Sequence, residues 1–366
     1  MKKSALTLAL GTLLAGSAYA QTSVTLYGIV DQSIRYSNNS NGNNDSLYQL
    51  TNGAITNSRW GIKGSEALGN NLKAIFQLEN GFDPDTGKAN QVSAANPGGR
   101  LFGRQAYVGL AGDFGTIKLG RQYTEGFNFF GDYDPLTIGN YTANAWPFFL
   151  TNFRNDNVVS YGGKFGGLDV GASYGFGEKA GSITSSQYWG TRAAYTVGPF
   201  GFGGVYQEVR DANGNKQQMW GAAGKYSIGP AKIFLGYVGG KDRTGNVDAS
   251  LNGDALAAGT ANAVPAGNFT SNPRKDAIGY LGVTYQATPA LALTGVFYGD
   301  HVQNANGVSN NQGNRYTGVL LAEYSLSKRT QVYGTVDYNK LTGGTKTELP
   351  GKNNQTGASL GIRHIF

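Results

Sequence analysis

Two histidines, no cysteine and no cluster of side chains at metal-ligand spacing leave this chain of 366 residues little means of covalent or metal-assisted catalysis. A hydrolytic site needs a nucleophile, a base and an orienting group within hydrogen-bond reach. His301 beside Asp300, with some serine, is the nearest approach, and a polar loop edge accounts for it better. His364 shares the phase of Leu360, Ile362 and Phe366, an apolar set. The Asn- and Asp-bearing loops offer at most weak oxygen ligands for Ca²⁺. Gly61–Gly64 lies within an alternating stretch with no helix after it, so it is no phosphate loop. The expectation is no enzyme, no cofactor, no metal and no nucleic-acid partner. What remains is fixed positive charge at alternate positions. Arg59 and Lys63 oppose Trp60 and Ile62, Arg154 opposes Val159 and Tyr161, and Arg35 and Lys73 lie on the polar faces of their segments. Such charge selects solutes without transforming them.

The elements that would hold this charge are short segments in which apolar and polar residues alternate. In one, Val170, Ala172, Tyr174 and Phe176 oppose Asp169, Gly171, Ser173 and Gly175; in another, Trp220, Ala222, Tyr226 and Ile228 oppose Ala223, Lys225 and Ser227. This is the two-residue period of strands. Tight connections near 69–71, 113–114, 166–167, 199–201, 230–231, 289–290 and 328–329 alternate with longer polar loops near 37–57, 84–99, 125–156, 179–186, 212–216, 243–274, 303–313 and 342–354. The rhythm gives about sixteen antiparallel strands with both ends of the chain on the short-turn side, as in transmembrane β-barrels. Residues 1–20 read as a secretory signal, with Lys2 and Lys3, an apolar run and a small-x-small site at Ala18-Tyr19-Ala20. Residues 21–366 then form one barrel, with no plug ahead of its first strand.

Composition agrees. Charged residues are 14%, mean hydropathy is −0.32, and 57 glycines accompany 22 tyrosines and 18 phenylalanines. A barrel strand shows lipid only every second side chain, so its average stays polar. Net charge is +7, of which Lys2 and Lys3 belong to the signal. A secreted soluble sandwich would also alternate. The even strand count, aromatic strand ends, loop asymmetry and terminal Phe366 favour the barrel. At about sixteen strands the interior holds an aqueous channel unless something narrows it. The segment 125–156 is the natural constrictor, because Phe127, Phe129, Phe130, Tyr133, Tyr141, Trp146, Phe148 and Phe149 have little reason to face water. A cap over the mouth or a contact with a neighbouring subunit is the other use for it.

Several runs resemble the general trimeric porins of Gram-negative outer membranes, closest to their beta-proteobacterial branch. They are Ser58-Arg59-Trp60-Gly61-Ile62-Lys63-Gly64, Leu72-Lys73-Ala74-Ile75-Phe76, Gly103-Arg104-Gln105-Ala106-Tyr107-Val108-Gly109-Leu110, Phe114-Gly115-Thr116-Ile117-Lys118-Leu119-Gly120-Arg121 and the final Gly361-Ile362-Arg363-His364-Ile365-Phe366. The resemblance implies a homotrimer in outer-membrane lipid that passes ions and small hydrophilic solutes, with the third outside loop folded into the lumen. It also implies a basic constriction wall of Arg59, Arg104 and Arg154, with Arg35, Lys63 and Lys73 as further lumen charge. Phe366 would be the signal read by the barrel-assembly machinery. Many such channels oppose the basic wall with loop carboxylates. Here Asp132 and Asp134 are the acids at hand, and 136–153 has none. A weak preference for anions follows. Arg121 shares the exterior phase of Ile117 and Leu119. Either it sits at the membrane edge or it meets Asp83 or Asp85 across a subunit contact. A surface barrel acting as adhesin or receptor, or a substrate-specific channel, is the alternative.

Overall fold

The computed structural model describes residues 22–91, 98–139, 145–252 and 267–366; the expected signal, 1–20, and Tyr141 of the expected constrictor lie outside them. Among the described residues, seventeen strand segments close a single antiparallel sheet. They are β1 (Ser23–Ser37), β2 (Leu47–Asn52), β3 (Arg59–Gly69), β4 (Leu72–Gly81), β5 (Gln105–Gly112), β6 (Gly115–Tyr123), β7 (Arg154–Phe165), β8 (Leu168–Gly175) and β9 (Tyr188–Val197), followed by β10 (Phe200–Arg210), β11 (Lys216–Ile228), β12 (Ala231–Asp242), β13 (Arg274–Gln286), β14 (Leu291–Gln303), β15 (Gly313–Ser325), β16 (Thr330–Gly343) and β17 (Asn354–Ile365). From β3 onward each pairs with its successor along the chain, and β17 returns to β1 from Ile29↔Ile365 to Ser37↔Gly357. Closure leaves no free edge, so the backbone groups of the wall are satisfied within it, as a lipid environment demands.

Seventeen segments make sixteen walls because β2 and β3 share one place. The first half of β1 pairs with β3, from Ser23↔Ser65 to Ile29↔Arg59. Its second half pairs with β2, from Gln32↔Asn52 to Ser37↔Leu47. The expected first loop, 37–57, is therefore corrected: it contains a strand, and only 38–46 is a true outside connection. Between β2 and β3 the chain detours inward at 53–58. Thr56 donates its N–H and its hydroxyl to Asp31, and Ala54 donates to the Tyr333 hydroxyl. Gly53 belongs there for steric reasons, since a Cβ would overlap the Asp31 carboxylate at 1.7 Å.

The wall obeys the two-residue period. In β13, Asp276, Ile278 and Tyr280 are buried while Lys275, Ala277, Gly279 and Leu281 are exposed. Exposed large apolar residues of the wall such as Leu235, Leu281, Phe297 and Leu320 belong to the outward set. In water such a band would be an aggregation surface; in a bilayer it is the solvent-facing side. Phe366 extends the last ladder, donating to and accepting from the backbone of Gly28, so the end of the chain locks the seam.

Candidate pore constriction

The third outside connection turns inward at the end of β6. Thr124 caps helix α1 (Glu125–Tyr133) by accepting from the Phe127 N–H, and Glu125 sits in the first turn, where a carboxylate suits the helix dipole. The helix lies close against the inner wall. The Gly126 N–H donates to Gln207 Oε1 at 2.8 Å, and a Cβ on Gly126 would fall 2.2 Å from Met219. Glu125 pairs with Arg192 at 2.8 Å and accepts from Ser173. Further along, Trp146 donates to Thr317 at 2.9 Å, Tyr280 donates to the Tyr133 carbonyl, and Phe148 packs edge-on against Tyr280 and Tyr298. Every wall residue in these contacts belongs to the inward set. Phe130, Phe148 and Leu150 are fully enclosed. Burying side chains of this size contributes roughly 1.5–3 kcal/mol each, which holds the loop against the wall.

Packing the loop on the β8–β15 side leaves a gap on the opposite side. There, Arg59, Arg104 and Arg154 line one cavity of about 450 Å³ together with Tyr123, Phe127 and Phe153. The detour at 53–58 contributes Ile55, Thr56 and Asn57 to the same cavity. Arg59 at the start of β3 donates to the Asn57 carbonyl. Arg154, the first residue of β7, spreads its guanidinium over the Tyr123 ring at 4.7 Å and the Phe127 ring at 5.6 Å. Arg104 shares the apparent phase of Ala106 and Val108, an outward set. It turns inward because it precedes the first ladder residue of β5, Gln105, and so escapes the alternation. Its Nε pairs with Glu79 at 2.8 Å and it donates to the Tyr123 hydroxyl at 2.7 Å. Among the described residues, Arg59 and Arg154 have no carboxylate partner, and no carboxylate lines the cavity.

The remaining expected residues scatter. Arg35 is inward but buried, and Asp337 neutralises it at 2.7 Å, so it adds no net field to the lumen. Lys63 faces the lumen over the Tyr27 ring, and Lys73 is exposed lower on β4. The two loop acids do not face the arginines. Asp132 is exposed, its carbonyl accepting from Lys225, while Asp134 is enclosed on the far wall, accepting from the Tyr298 hydroxyl and the Ile138 N–H. Burial pushes the Asp134 carboxyl up to about 7, against the pull of those two hydrogen bonds. Arg121 is outward, as its phase requires, and it has a partner within its own chain: Asp156, at 2.6 Å, which also accepts from Arg100 at 2.8 Å. An outside acid is therefore not needed to neutralise it. Asp83 accepts from Asn52, and Asp85 is exposed. His301 and Asp300 point to opposite faces, so they form no dyad; the His301 ring meets Asn314 and Asp300 is buried inside.

Two features were not anticipated from the sequence. Glu79 occurs within an alternating run and carries no local signal of its pairing with Arg104. A second buried charge cluster lies under the outside loops: Arg274 contacts Asp248 at 2.8 Å, Asp276 at 2.8 Å and Glu348 at 2.9 Å, while Arg315 contacts Glu348 at 3.1 Å and lies over Trp146. Asp248 belongs to a short helix, α2 (Asn246–Leu251), in the longest loop, and Glu348 to the last loop. Composition marked these loops only as polar excursions.

Comparison with known proteins agrees with this architecture. The anion-selective porin from Comamonas acidovorans superposes with a TM-score of 0.72 at 24% identity, over 94% of this chain and 100% of that one. The trimer form of OmpT of Vibrio cholerae gives 0.66 at 15% identity over 94% and 99%. At these identities the likeness concerns the fold. An outer membrane porin protein of Bordetella pertussis is 38% identical over 192 residues, 48% of each chain. Outer membrane porin protein 32 of Delftia acidovorans is 35% identical over 217 residues, 54% of this chain and 57% of that protein. The matched stretch thus spans about half the length of these two relatives. The Gram-negative porin profile, by contrast, matches residues 5–344. A sixteen-walled antiparallel barrel with an apolar exterior and a profile match over nearly its whole length make this chain a member of the Gram-negative porin family, a β-barrel of the outer membrane.

Proposed function

We propose that the protein is a general diffusion channel whose constriction weakly favours anions. The observation that supports this is the cavity shared by Arg59, Arg104 and Arg154, with no carboxylate among its lining residues. Glu79 offsets one of the three charges through Arg104, leaving about two uncompensated. An uncompensated positive ring lowers the energy of a passing anion and raises that of a cation. The named similarity to an anion-selective porin points the same way. Of the other lumen charges, Arg35 and Arg192 are paired, Lys63 and Lys73 lie further along β3 and β4 than the constriction, and Lys118 and Lys225, which rest over the Tyr107 and Tyr133 rings, add further positive charge. We further propose a homotrimer, with 1–20 removed as a signal and Phe366 recognised during assembly. An exterior apolar cleft bounded by Ile34, Leu50, Leu360 and Ile362 supports a subunit contact beside the β1–β17 seam. Arg121 with Arg100 and Asp156 forms the charged part of the exterior near the second loop, where Asp83 or Asp85 of a neighbour would add to the pair.

Planar-bilayer recording tests the reading directly. Stepwise ohmic conductance with a reversal potential of anion sign in a KCl gradient is expected. A cation-selective potential rejects the selectivity, and absent or saturating conductance rejects general diffusion.

A further inference from the structure

The third loop encloses some of its rings and leaves three of them at the opening it frames. Phe129, Phe130 and Phe148 are packed away, each 2% exposed or less. Phe127, Phe149 and Phe153 stay partly accessible and line the constriction cavity. They are held as one array. Phe153 meets Phe127 edge-on at 5.9 Å and Phe149 edge-on at 5.6 Å, and Phe127 stacks on Tyr123 at 4.4 Å. Rings left uncovered forgo the gain of burial, and clustered exposed apolar surface marks a place where something docks. The same cavity presents cationic donors. Arg59 donates its Nε to the Asn57 carbonyl, and its two Nη groups donate to no described residue. Arg154 lies over the Tyr123 and Phe127 rings, at 4.7 and 5.6 Å, and has no carboxylate partner among the described residues.

We propose that this cavity transiently retains aryl carboxylates, solutes that join one carboxylate to one aromatic ring. The carboxylate meets Arg59 and Arg154, and the ring joins the array of Phe127, Phe149 and Phe153. A guanidinium takes a carboxylate through two parallel N–H donors, and that fixed fork orients whatever the carboxylate carries. An edge-to-face array favours an aromatic guest over a saturated ring of similar size, because the guest adds a further ring pair. The volume, about 450 Å³, falls within the roughly 300–1,000 Å³ of small-molecule sites. Chloride shares the field of the arginines and gains nothing from the rings. A neutral aromatic solute gains from the rings and nothing from the field. A solute with both groups gains from both. The inference rests on the anion-favouring reading above and names the class of anion held longest.

Block of the chloride current by added solutes provides the test, recorded on the reconstituted protein in about 0.1 M KCl, where the arginine field still reaches across the cavity. The solutes are benzoate, cyclohexanecarboxylate, acetate and the neutral benzamide. Benzoate should half-block at a concentration roughly two- to tenfold below cyclohexanecarboxylate, the increment of an aromatic pair beyond its area. Acetate and benzamide should each need more still. F149L/F153L keeps apolar bulk while removing two rings, so it should bring benzoate close to cyclohexanecarboxylate. F297L, on the exterior, should keep the wild-type preference. Conductance steps in KCl alone show that a variant has inserted; should F149L/F153L not assemble, the wild-type solute series decides by itself. Equal half-blocking concentrations of benzoate and cyclohexanecarboxylate in wild type overturn the proposal. Equal block by benzoate and benzamide overturns the part given to the arginines. A reversal potential of cation sign in KCl alone refutes the selectivity reading instead, so the two failures are told apart.

Discussion

Replacing Arg154 with glutamine isolates the electrostatic part of selection. A sphere of 450 Å³ has a radius of about 5 Å, so an ion at the centre of the constriction cavity lies about 6 Å from a lining guanidinium charge. In a water-like dielectric one unit charge at that distance is worth about 0.7 kcal/mol. Screening at 0.1 M salt, with a Debye length of about 10 Å, reduces this to roughly 0.4 kcal/mol. The term has opposite sign for anion and cation, so the permeability ratio responds to twice that energy, about three- to fourfold. At 1 M salt, where the Debye length is about 3 Å, the change shrinks to less than about 1.5-fold. Reversal potentials of R154Q across fixed KCl gradients at the two mean concentrations measure both numbers, and R121Q, on the exterior, serves as control. Wild-type selectivity in R154Q at about 0.1 M, in channels of normal single-channel conductance, refutes the placement of this charge at the constriction. A change that does not fade with salt refutes the field mechanism and points to a steric origin.

Other consequences follow from the paired and buried charges. Asp134 binds its proton more tightly in the folded loop, at about 7 against an ordinary 3.8, so stability falls as pH rises from about 4 to about 7 and is level above. The span corresponds to roughly 4 kcal/mol at most, and D134N should flatten the fall in a pH series of thermal unfolding; a parallel decline in the variant contradicts it. Arg274→Met strands Asp248 and Asp276 without their guanidinium, leaves Glu348 with Arg315 alone, and should cost about 3–5 kcal/mol in denaturant unfolding; a loss below about 1 kcal/mol means the cluster is wet. If the exterior pair Arg121–Asp156 contributes to the subunit contact, R121A should lower the temperature at which detergent-resistant oligomers dissociate. Unaltered heat resistance removes Arg121 from that contact.

Strand alternation is local, and so the walls were legible. The lumen placement of Arg59 and Lys63, the outward placement of Arg121 and the inward fate of the aromatic third loop follow from period, phase and composition alone. What escaped depends on contacts distant in sequence or on broken periodicity. Arg104 reads as outward until the start of β5 is known, because one residue outside a ladder is free of its phase. The detour at 53–58 reads as loop, because its inward turn is fixed by Asp31 and Tyr333, the latter remote along the chain. The pairing of Arg35 with Asp337 spans the barrel seam, joining β1 to β16. Closure makes that contact, and no window of sequence contains it.

The same closure bears on how a basic channel, on the reading proposed above, would select at one level. Positive charge is spread through the lumen, yet a guanidinium held against a carboxylate presents little net field to a solute. Arg35 has Asp337, Arg192 has Glu125 and Asp169, and Arg274 and Arg315 share Glu348 with further acids. Burial forces this pairing, since an unpaired charge enclosed by protein costs several kcal/mol. Arg59 and Arg154 are exempt because they line a cavity and keep part of their surface accessible there, and the rings of Tyr123 and Phe127 support Arg154 from beneath. The narrowness of the gap keeps every passing ion within reach of their field. On the proposed reading the loop acts on selectivity by what it brings to this gap: it lines its side of the cavity with Phe127, Thr137, Ile138, Phe149 and Phe153, none of them a carboxylate, and a carboxylate there would cancel the field of the arginines.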